Sequence, residues 1–174
     1  MKKALFLDRD GVINVEKEYL YKQEDFEFIE GIFELCRYFQ AKGYLIFVVT
    51  NQSGIARGFY SEEDFDTLSQ WMLEAFEKEG ITLSHIYHCP HHPKISGACT
   101  CRKPKPGMLL QAKEAYDIDM EHSIMIGDKE RDIEAGLNAG LHVSYLFDES
   151  QTVTESKATH IVSSLKEIID VDSQ

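Results

Sequence analysis

Short, continuously apolar segments alternate with helical patterns along this chain of 174 residues, and this alternation restricts its fold more than any other feature. The apolar runs include ALFLD at 4–8 and YLIFVVTN at 44–51, in which neither side of the strand is polar. Strands that are apolar on both sides are typical of a parallel sheet covered by helices on both faces. The sequence therefore predicts an α/β fold in one domain, residues 1–174.

The remaining elements can be placed from periodicity and from helix start and stop signals. Ser61, followed by three acidic residues, predicts a helix N-cap, and Gly43 predicts a helix end. Further strands are expected at 84–89, 122–128, 142–147 and 159–164, and helices at 31–43, 61–79, 106–116, 129–139 and 164–170. This order predicts a Rossmann-like sheet. No gap between elements is long enough to hold a large cap domain.

The charge balance excludes several classes of partner. Eighteen basic and thirty acidic residues give a net charge of −12, whereas nucleic acids and anionic membranes need a basic surface. No apolar run approaches the length of a membrane span, and the chain start is too short for a signal peptide. A cytoplasmic monomer that binds neither nucleic acid nor membrane is therefore expected.

Acidic residues follow two of the predicted strands. Asp8 and Asp10 stand at the end of the first strand, and Asp128 ends the strand at 122–128. Turns also favour Asp and Gly, so a plain turn is the alternative interpretation of LFLDRDGV. Because ligands of parallel α/β sheets gather at the carboxyl ends of strands, these acids are expected to meet there. Converging carboxylates repel one another unless a cation lies among them, and Mg²⁺ prefers such ligands.

Three of the four cysteines lie within CPHHPKISGACTC, residues 89–101. Three thiolates and one imidazole form a closed tetrahedral site of the structural zinc type. The predicted ligands are Cys89, His91, Cys99 and Cys101, and His92 is an alternative to His91. A buried cysteine cluster is disfavoured because the intervening HHPKISG is polar and rich in loop formers. The predicted zinc-stabilised loop ends directly before Arg102 and Lys103.

These motifs together resemble the haloacid dehalogenase superfamily of phosphatases. The resemblance rests on Asp8-Arg9-Asp10-Gly11-Val12, on Thr50 after the second strand, on Lys103 before a helix, and on the later Gly127-Asp128 with Asp132. It implies that Asp8 forms an aspartyl-phosphate and that Asp10 acts as general acid and base. It also implies that Mg²⁺ is held by Asp8, the backbone carbonyl of Asp10, and Asp128.

The same resemblance assigns the phosphoryl group to Thr50 and Lys103. Asp132 either orients the lysine or is a solvated helix acid, and the sequence leaves both interpretations open. Without a cap domain, the site is expected to be open, roofed only by residues 13–25 and the zinc loop.

Within the superfamily, CPHHP, CTCRKPKPGM and TNQSGIARG resemble the D-glycero-D-manno-heptose 1,7-bisphosphate phosphatases. The resemblance spans essentially the whole chain and implies a sugar bisphosphate substrate. The substrate contacts it implies are Arg9, Glu16, Lys17, Glu18, Tyr19, Asn51, Gln52, Ser53, Arg102 and Lys129. Glu18 departs from the pattern, because relatives often have glycine there. Arg57 is interpreted as an exposed loop cation, with a contact to a second phosphate as the alternative.

Three alternatives stay open at this point. Histidinol-phosphate phosphatases share the zinc loop and the CRKP motif. A phospho-receiver module also combines acids, a threonine and a lysine on a parallel sheet, and a zinc-dependent binding module would need no catalysis. Phosphatase turnover that depends on Asp8 distinguishes the enzyme from the last two.

Overall fold

The computed structural model describes residues 1–174 and contains six strands and five α-helices. In chain order these are β1 (Ala4–Leu7), α1 (Ile32–Ala41), β2 (Leu45–Asn51), α2 (Glu62–Lys78), β3 (Leu83–Cys89), α3 (Gly107–Tyr116), β4 (Ile124–Gly127), α4 (Glu130–Asn138), β5 (Val143–Phe147), β6 (His160–Val162) and α5 (Leu165–Asp172). The predicted α/β class is confirmed. None of the helices combines the length and the apolar character that crossing a membrane requires.

All six strands are parallel, in the order β3-β2-β1-β4-β5-β6. The chain first builds outward from β1 through β2 to β3, then returns and adds β4 on the other side of β1. The strand order therefore reverses at β1, with Leu5 opposite both Ile46 of β2 and Ile124 of β4. Crevices at such switch points are where ligands bind in open parallel sheets.

Helices cover both faces of the sheet, as the apolar strands predicted. Leu5 and Leu7 of β1 belong to a core cluster shared with α1, α2 and α5. The alternate residues Ala4 and Phe6 pack in a second cluster with α3 and α4. Because side chains alternate across a strand, each face of β1 contributes to a separate core layer.

Several element boundaries agree with the local signals. Ser61 accepts a hydrogen bond from Asp64 N while the Asp64 side chain accepts one from Ser61 N, which is a capping box at the start of α2. Gly43 follows the end of α1 with a φ of 88°, a value that glycine adopts readily.

Several boundaries differ from the predictions. His122 lies in a short 3-10 helix and contacts the Asp119 carboxylate at 2.8 Å, so β4 begins only at Ile124. Pro106 is the N-cap of α3 rather than part of its first turn, because Gly107 N bonds back to the Thr100 carbonyl. The last helix continues past the predicted 170 to Asp172.

Two long segments rise above the strand ends. One runs from Asp8 to Gly31 between β1 and α1, and the other runs from Pro90 to Pro106 between β3 and α3. The first contains only a 3-10 helix at Gln23–Asp25, and the second contains no helix or strand. Neither forms a cap domain, so the carboxyl edge of the sheet stays accessible from outside, as predicted.

Candidate active site

The tips of β1 and β4 and the first turn of α4 bring three carboxylates together. Oxygen atoms of Asp8, Asp128 and Asp132 all lie within 4.8 Å of one another. The approach depends on Gly11, whose φ is +92° and where a Cβ atom would stand 2.1 Å from Asp128 Oδ2. Only glycine fits this position, which explains why the first motif contains it.

A single buried lysine contacts two of these carboxylates. Lys103 Nζ donates to Asp8 Oδ1 at 2.9 Å and to the Val49 carbonyl at 2.8 Å, and it lies 2.7 Å from Asp132 Oδ1. Its backbone is fixed by Asn51, whose side-chain amide bonds to both the N–H and the carbonyl of Lys103. Lys103 and Asp132 are 2% and 0% exposed, so Asp132 is not a solvated helix acid.

Burial and charge shift the ionisation of this cluster. Burial, reinforced by the charge of Asp132, raises the pKa of Asp8 well above its ordinary value despite the opposing effect of Lys103. Burial and Asp132 also raise the pKa of Asp128 to about 6. Burial disfavours the Lys103 ammonium, but Asp132 and Asp8 outweigh it and raise its pKa to about 12. The carboxylates of Asp8 and Asp132 therefore share the single ammonium group of Lys103.

The donor set fits a divalent cation with hard oxygen ligands. Asp128 Oδ1 is buried and has no hydrogen-bond partner, although it stands beside two further carboxylates. Buried carboxylate oxygens without a donor are costly unless a metal or a proton occupies the position. Asp8 and Asp128 are therefore suited to hold Mg²⁺.

Asp10 is held by three side-chain donors. Arg9 Nη2 and Asn14 Nδ2 each lie 3.0 Å from Asp10 Oδ1, and Gln52 Nε2 donates to Asp10 Oδ2 at 3.1 Å. Gln52 Nε2 also donates to Thr50 Oγ1 at 2.8 Å. The carboxylate of Asp10 and the hydroxyl of Thr50 are thus linked through one amide group.

A cleft of about 240 Å³ opens beside Asp10, between the 51–60 loop, the segment after β1 and the start of α4. Three of the five arginines of the chain line this cleft: Arg57, Arg102 and Arg131. The other two, Arg9 and Arg37, are each paired with a carboxylate. All arginines without a carboxylate partner therefore face one cleft of an acidic protein.

The cysteine stretch forms the predicted cluster. Cys89 Sγ lies 3.7 Å from Cys99 Sγ, and His91 Nδ1 lies 3.5 Å from Cys89 Sγ and 3.3 Å from Cys101 Sγ. A tetrahedral site with Zn–S of about 2.3 Å and Zn–N of about 2.0 Å has ligand separations of roughly 3.5–3.8 Å. Partial burial opposes ionisation, but N–H groups of Arg102 and Cys101 lower the pKa of Cys99 to about 6. Burial raises the pKa values of the Cys89 and Cys101 thiols. The distances between the four ligand atoms are therefore the observation that fits zinc.

His92, the alternative ligand, points elsewhere. Its Nε2 is 3.0 Å from Arg57 Nη2, and its Nδ1 accepts from Lys94 N. Arg102 Nη1 donates to the His91 carbonyl at 3.2 Å. The backbone of His91, a residue of the cysteine cluster, therefore holds the Arg102 guanidinium, which lines the cleft.

Relatives that are named as phosphatases align with nearly the whole of this chain. The D-glycero-alpha-D-manno-heptose-1,7-bisphosphate 7-phosphatase of Campylobacter jejuni is 55% identical over 168 residues, 97% of this chain and 94% of the relative. The chain belongs to the heptose-bisphosphate phosphatase family of haloacid dehalogenase-like hydrolases. The resemblance seen in the motifs is confirmed.

Further members of this family and a structural relative agree. The beta-anomer 7-phosphatase of Vibrio cholerae is 46% identical over 175 residues, covering 96% of this chain and 94% of the relative. A family model for HAD-hydrolase-like proteins matches residues 100–168. The D,D-heptose 1,7-bisphosphate phosphatase of Bordetella bronchiseptica, solved with magnesium and phosphate, has a TM-score of 0.84 and 29% identity, with 99% of this chain and 98% of that chain covered.

Not every residue that the family resemblance assigned to the substrate reaches the cleft. Glu16, Glu18, Tyr19, Asn51, Gln52, Ser53 and Arg102 line it. Arg9 does not: its guanidinium is buried and bonds to Asp10 and to the Leu20 carbonyl, because it fills the space beneath the segment after β1. Lys17 lies outside the cleft and 3.7 Å from Glu27. Lys129 lies on the other side of Asp128, 57% exposed.

The departure at Glu18 has a backbone explanation. Glu18 and Tyr19 have φ values of 43° and 59°, in the left-handed region that favours glycine. A glycine at position 18 would adopt this conformation without strain. Here the turn is held by Glu18 N, which donates to Glu16 Oε1 at 2.8 Å, and by the Tyr19 ring against Phe59.

Three polar residues of the site were missed in the sequence. Asn14 stands four residues after Asp10 and bonds to it, Tyr60 bonds to Gln52, and Arg131 lines the cleft. Arg131 gave a usable signal, because it lies next to Asp132 in the first turn of a helix that follows a site strand. Asn14 and Tyr60 gave none, because a polar loop residue and a tyrosine before an N-cap are common in any sequence.

The crowded carboxylates predict that Mg²⁺ stabilises the fold. The folded state binds a proton at Asp128 more tightly than the unfolded state, so metal-free stability falls as pH rises from the ordinary Asp value of 3.8 to about 6. We expect saturating Mg²⁺ near neutral pH to raise the melting temperature of the wild type by roughly 5–10 °C. Asp128→Asn should remove this response and flatten the metal-free pH dependence.

Differential scanning calorimetry in chelator and in Mg²⁺ measures both effects. Asp66→Asn, at an exposed position on α2, is the matched control and should respond like the wild type. An Asp128→Asn protein that Mg²⁺ stabilises as much as the wild type would contradict the assignment.

Proposed function

We propose that this protein is a Mg²⁺-dependent phosphatase that removes the 7-phosphate of D-glycero-D-manno-heptose 1,7-bisphosphate, in heptose nucleotide biosynthesis. The observation that carries the proposal is the position of the Asp8 carboxylate at the switch point of the sheet, bonded to Lys103 and next to Asp128. The names of the relatives at 55% and 46% identity support the substrate.

In the first step, a carboxylate oxygen of Asp8 attacks phosphorus and the bond from phosphorus to the sugar oxygen breaks. Asp10 gives a proton to that leaving oxygen, because an alkoxide is a poor leaving group unless it is protonated. Lys103 and Thr50 bind the phosphoryl oxygens, and the loop after Thr50 adds backbone N–H groups. Most of the acceleration comes from positioning and charge stabilisation.

In the second step, Asp10 takes a proton from water, which attacks the phosphorus of the aspartyl-phosphate and frees Asp8 and inorganic phosphate. The three donors around Asp10 hold its carboxylate in one orientation for both transfers. Asp8, Asp128 and the backbone carbonyl of Asp10 would hold Mg²⁺. When bound, this ion supplies positive charge to neutralise the phosphoryl group.

The cleft favours a substrate with two phosphates over histidinol phosphate. Arg57, Arg102 and Arg131 lack carboxylate partners and offer bidentate donors, which suit a phosphate. Glu16 and Glu18 on the same cleft suit sugar hydroxyls, which donate hydrogen bonds. Histidinol phosphate has one phosphate, which Lys103 and Thr50 would bind. It has no second phosphate for the three arginines to bind.

We further propose that zinc bound by Cys89, His91, Cys99 and Cys101 is structural. All four positions of a tetrahedral site would be filled by protein ligands, which leaves none for a reacting water. The role that the geometry supports is to fix the loop before Arg102 and Lys103.

The proposal also covers the domain organisation, the oligomeric state and the cellular compartment of the protein. Residues 1–174 act as a single domain, and no partner subunit is needed because every residue of the site comes from this chain. A reducing compartment such as the cytoplasm suits an enzyme whose four cysteines form no disulfide.

The first test compares phosphate release from both anomers of the heptose 1,7-bisphosphate and from histidinol phosphate, with Mg²⁺. We expect the highest kcat/KM for a heptose bisphosphate, and Asp8→Asn should lower turnover by more than about a thousandfold because the nucleophile is lost. Circular dichroism checks that the variant stays folded. Preference for histidinol phosphate would overturn the substrate, and turnover retained by Asp8→Asn would overturn the mechanism. A folded wild type that hydrolyses nothing would favour a receiver or binding module.

A second test addresses the arginine cleft. Arg131→Gln should lower kcat/KM for the 1,7-bisphosphate roughly tenfold, because a charge-assisted hydrogen bond to the second phosphate is lost. Hydrolysis of heptose 7-phosphate, which lacks that phosphate, should stay unchanged. Arg37→Gln, which removes an ion pair with Glu79 outside the cleft, is the control. An equal loss on both substrates would contradict a role in recognising the second phosphate.

A third test addresses zinc. Cys99→Ser should lower the zinc content below one ion per chain and expose the loop that contains Lys94 to trypsin. Elemental analysis and the rate of cleavage after Lys94 measure these effects. Cys36→Ala, which changes a buried thiol of α1 outside the cluster, should keep full zinc and full protection. Wild-type protein that contains no zinc when purified would refute the assignment.

A further inference from the structure

Tyr60 is a buried phenol next to the candidate active site that the mechanism above does not use. It stands directly before the N-cap of α2 and is 7% exposed. Its hydroxyl donates to Gln52 Oε1. Burial raises the pKa of Tyr60 to about 12, so the hydroxyl keeps its proton under ordinary conditions.

Gln52 connects Tyr60 to the reacting groups. The nitrogen of its amide donates to Thr50 Oγ1 at 2.8 Å and to Asp10 Oδ2 at 3.1 Å. The backbone of Gln52 is also fixed, because its N–H donates to the Cys89 carbonyl at 2.7 Å. Gln52 is only 3% exposed, and the orientation of its terminal amide decides which atoms face Asp10 and Thr50.

The two orientations of that amide have different consequences for Asp10. In the observed orientation, N–H groups face Asp10 and Thr50, and the amide oxygen accepts from Tyr60. In the reversed orientation, the amide oxygen would face the Asp10 carboxylate, and two acceptors repel. The buried hydroxyl of Tyr60 would then also lose Gln52 Oε1 as its hydrogen-bond acceptor, which is costly.

The Tyr60 ring is itself held in place. A Cβ atom at position 54 would stand 2.2 Å from Tyr60 Cε1, so the ring lies directly over Gly54. The ring also stacks on Tyr21, with centroids 5.4 Å apart. Tyr21 belongs to the roof segment after β1, so the roof and the 51–60 loop together fix the phenol.

We propose that Tyr60 is a positioning residue that acts through Gln52: its hydroxyl holds the Gln52 amide in the orientation that presents donors to Asp10 and Thr50. This inference rests on the proposed function, because Asp10 must act as general acid for its orientation to affect the rate. Tyr60 lines the edge of the cleft, but its hydroxyl is used by Gln52.

The experiment compares two leaving groups in the first turnover. An alkoxide leaving from the heptose bisphosphate needs the proton of Asp10, whereas p-nitrophenolate leaves well without one. Rapid-quench and stopped-flow measurements give the rate of leaving-group release before the second step. We expect Tyr60→Phe to slow release of the sugar roughly three- to tenfold. Release of p-nitrophenolate should change by less than about twofold.

Two further variants make the test specific. Gln52→Met should slow release of the sugar at least as much as Tyr60→Phe does, and adding Tyr60→Phe to it should cost nothing more, because Tyr60 acts only through the amide. Tyr38→Phe removes a tyrosine hydrogen bond to Asp172 in contact with α5, and it should affect neither release rate.

Three outcomes would overturn the inference. Equal slowing on both substrates would indicate a merely structural role for Tyr60. Additive losses in the double variant would show that Tyr60 does not act through Gln52. A wild type that releases p-nitrophenolate but attacks no sugar phosphate would overturn the proposed function and this inference together, whereas either of the first two results overturns only the inference.

Discussion

The contact of the buried Lys103 ammonium with Asp8 and Asp132 is the interaction on which the rest of the site depends. One cation reaches the tip of β1 at 2.9 Å and the first turn of α4 at 2.7 Å. It arrives there from the segment that the cysteine cluster closes, and Asn51 at the end of β2 fixes its backbone. Four separate parts of the chain therefore meet at one charged atom. Losing this ammonium would leave buried carboxylates uncompensated, which is among the costliest changes a folded protein can undergo.

The negative charge of the carboxylates at this centre is only partly balanced by positive charge. Lys103 neutralises one of three neighbouring carboxylates, and burial together with the charge of Asp132 raises the pKa values of Asp8 and Asp128. A divalent cation bound there would supply the missing charge, and a phosphoryl group would then meet a site that is close to neutral rather than anionic. Under the proposed function, this is how a protein of net charge −12 would bind a doubly phosphorylated substrate. Its overall field opposes the approach, so the attraction has to be local.

Much of the fold and of the reacting centre could be predicted because the signals are local. Apolar strands, glycines at turns and acids at strand tips predicted the sheet and the meeting of Asp8 with Asp128. Side-chain direction was harder. Arg9 lies between two acids of the site, yet its guanidinium is buried and bonds to Asp10 and to the Leu20 carbonyl. Asp132 remained ambiguous because a helix N-terminus favours an acid whether or not a lysine comes from 29 residues away. Tyr60 became visible only through contacts that no spacing encodes.

Burial separates the chemistry of this site from its recognition. Lys103, Asp132, Gln52 and Thr50 are almost fully buried, and their donors and acceptors are used within the protein. Arg57, Arg131 and Lys129 are exposed, and the first two have no carboxylate partner. A change at a buried position leaves a neighbour unsatisfied, whereas a change at the rim alters only what the cleft attracts. Under the proposed function and without a cap domain, substrate choice would depend on these exposed side chains and on the left-handed turn at Glu18. The reacting centre can therefore stay constant while the rim adapts to a different sugar or anomer.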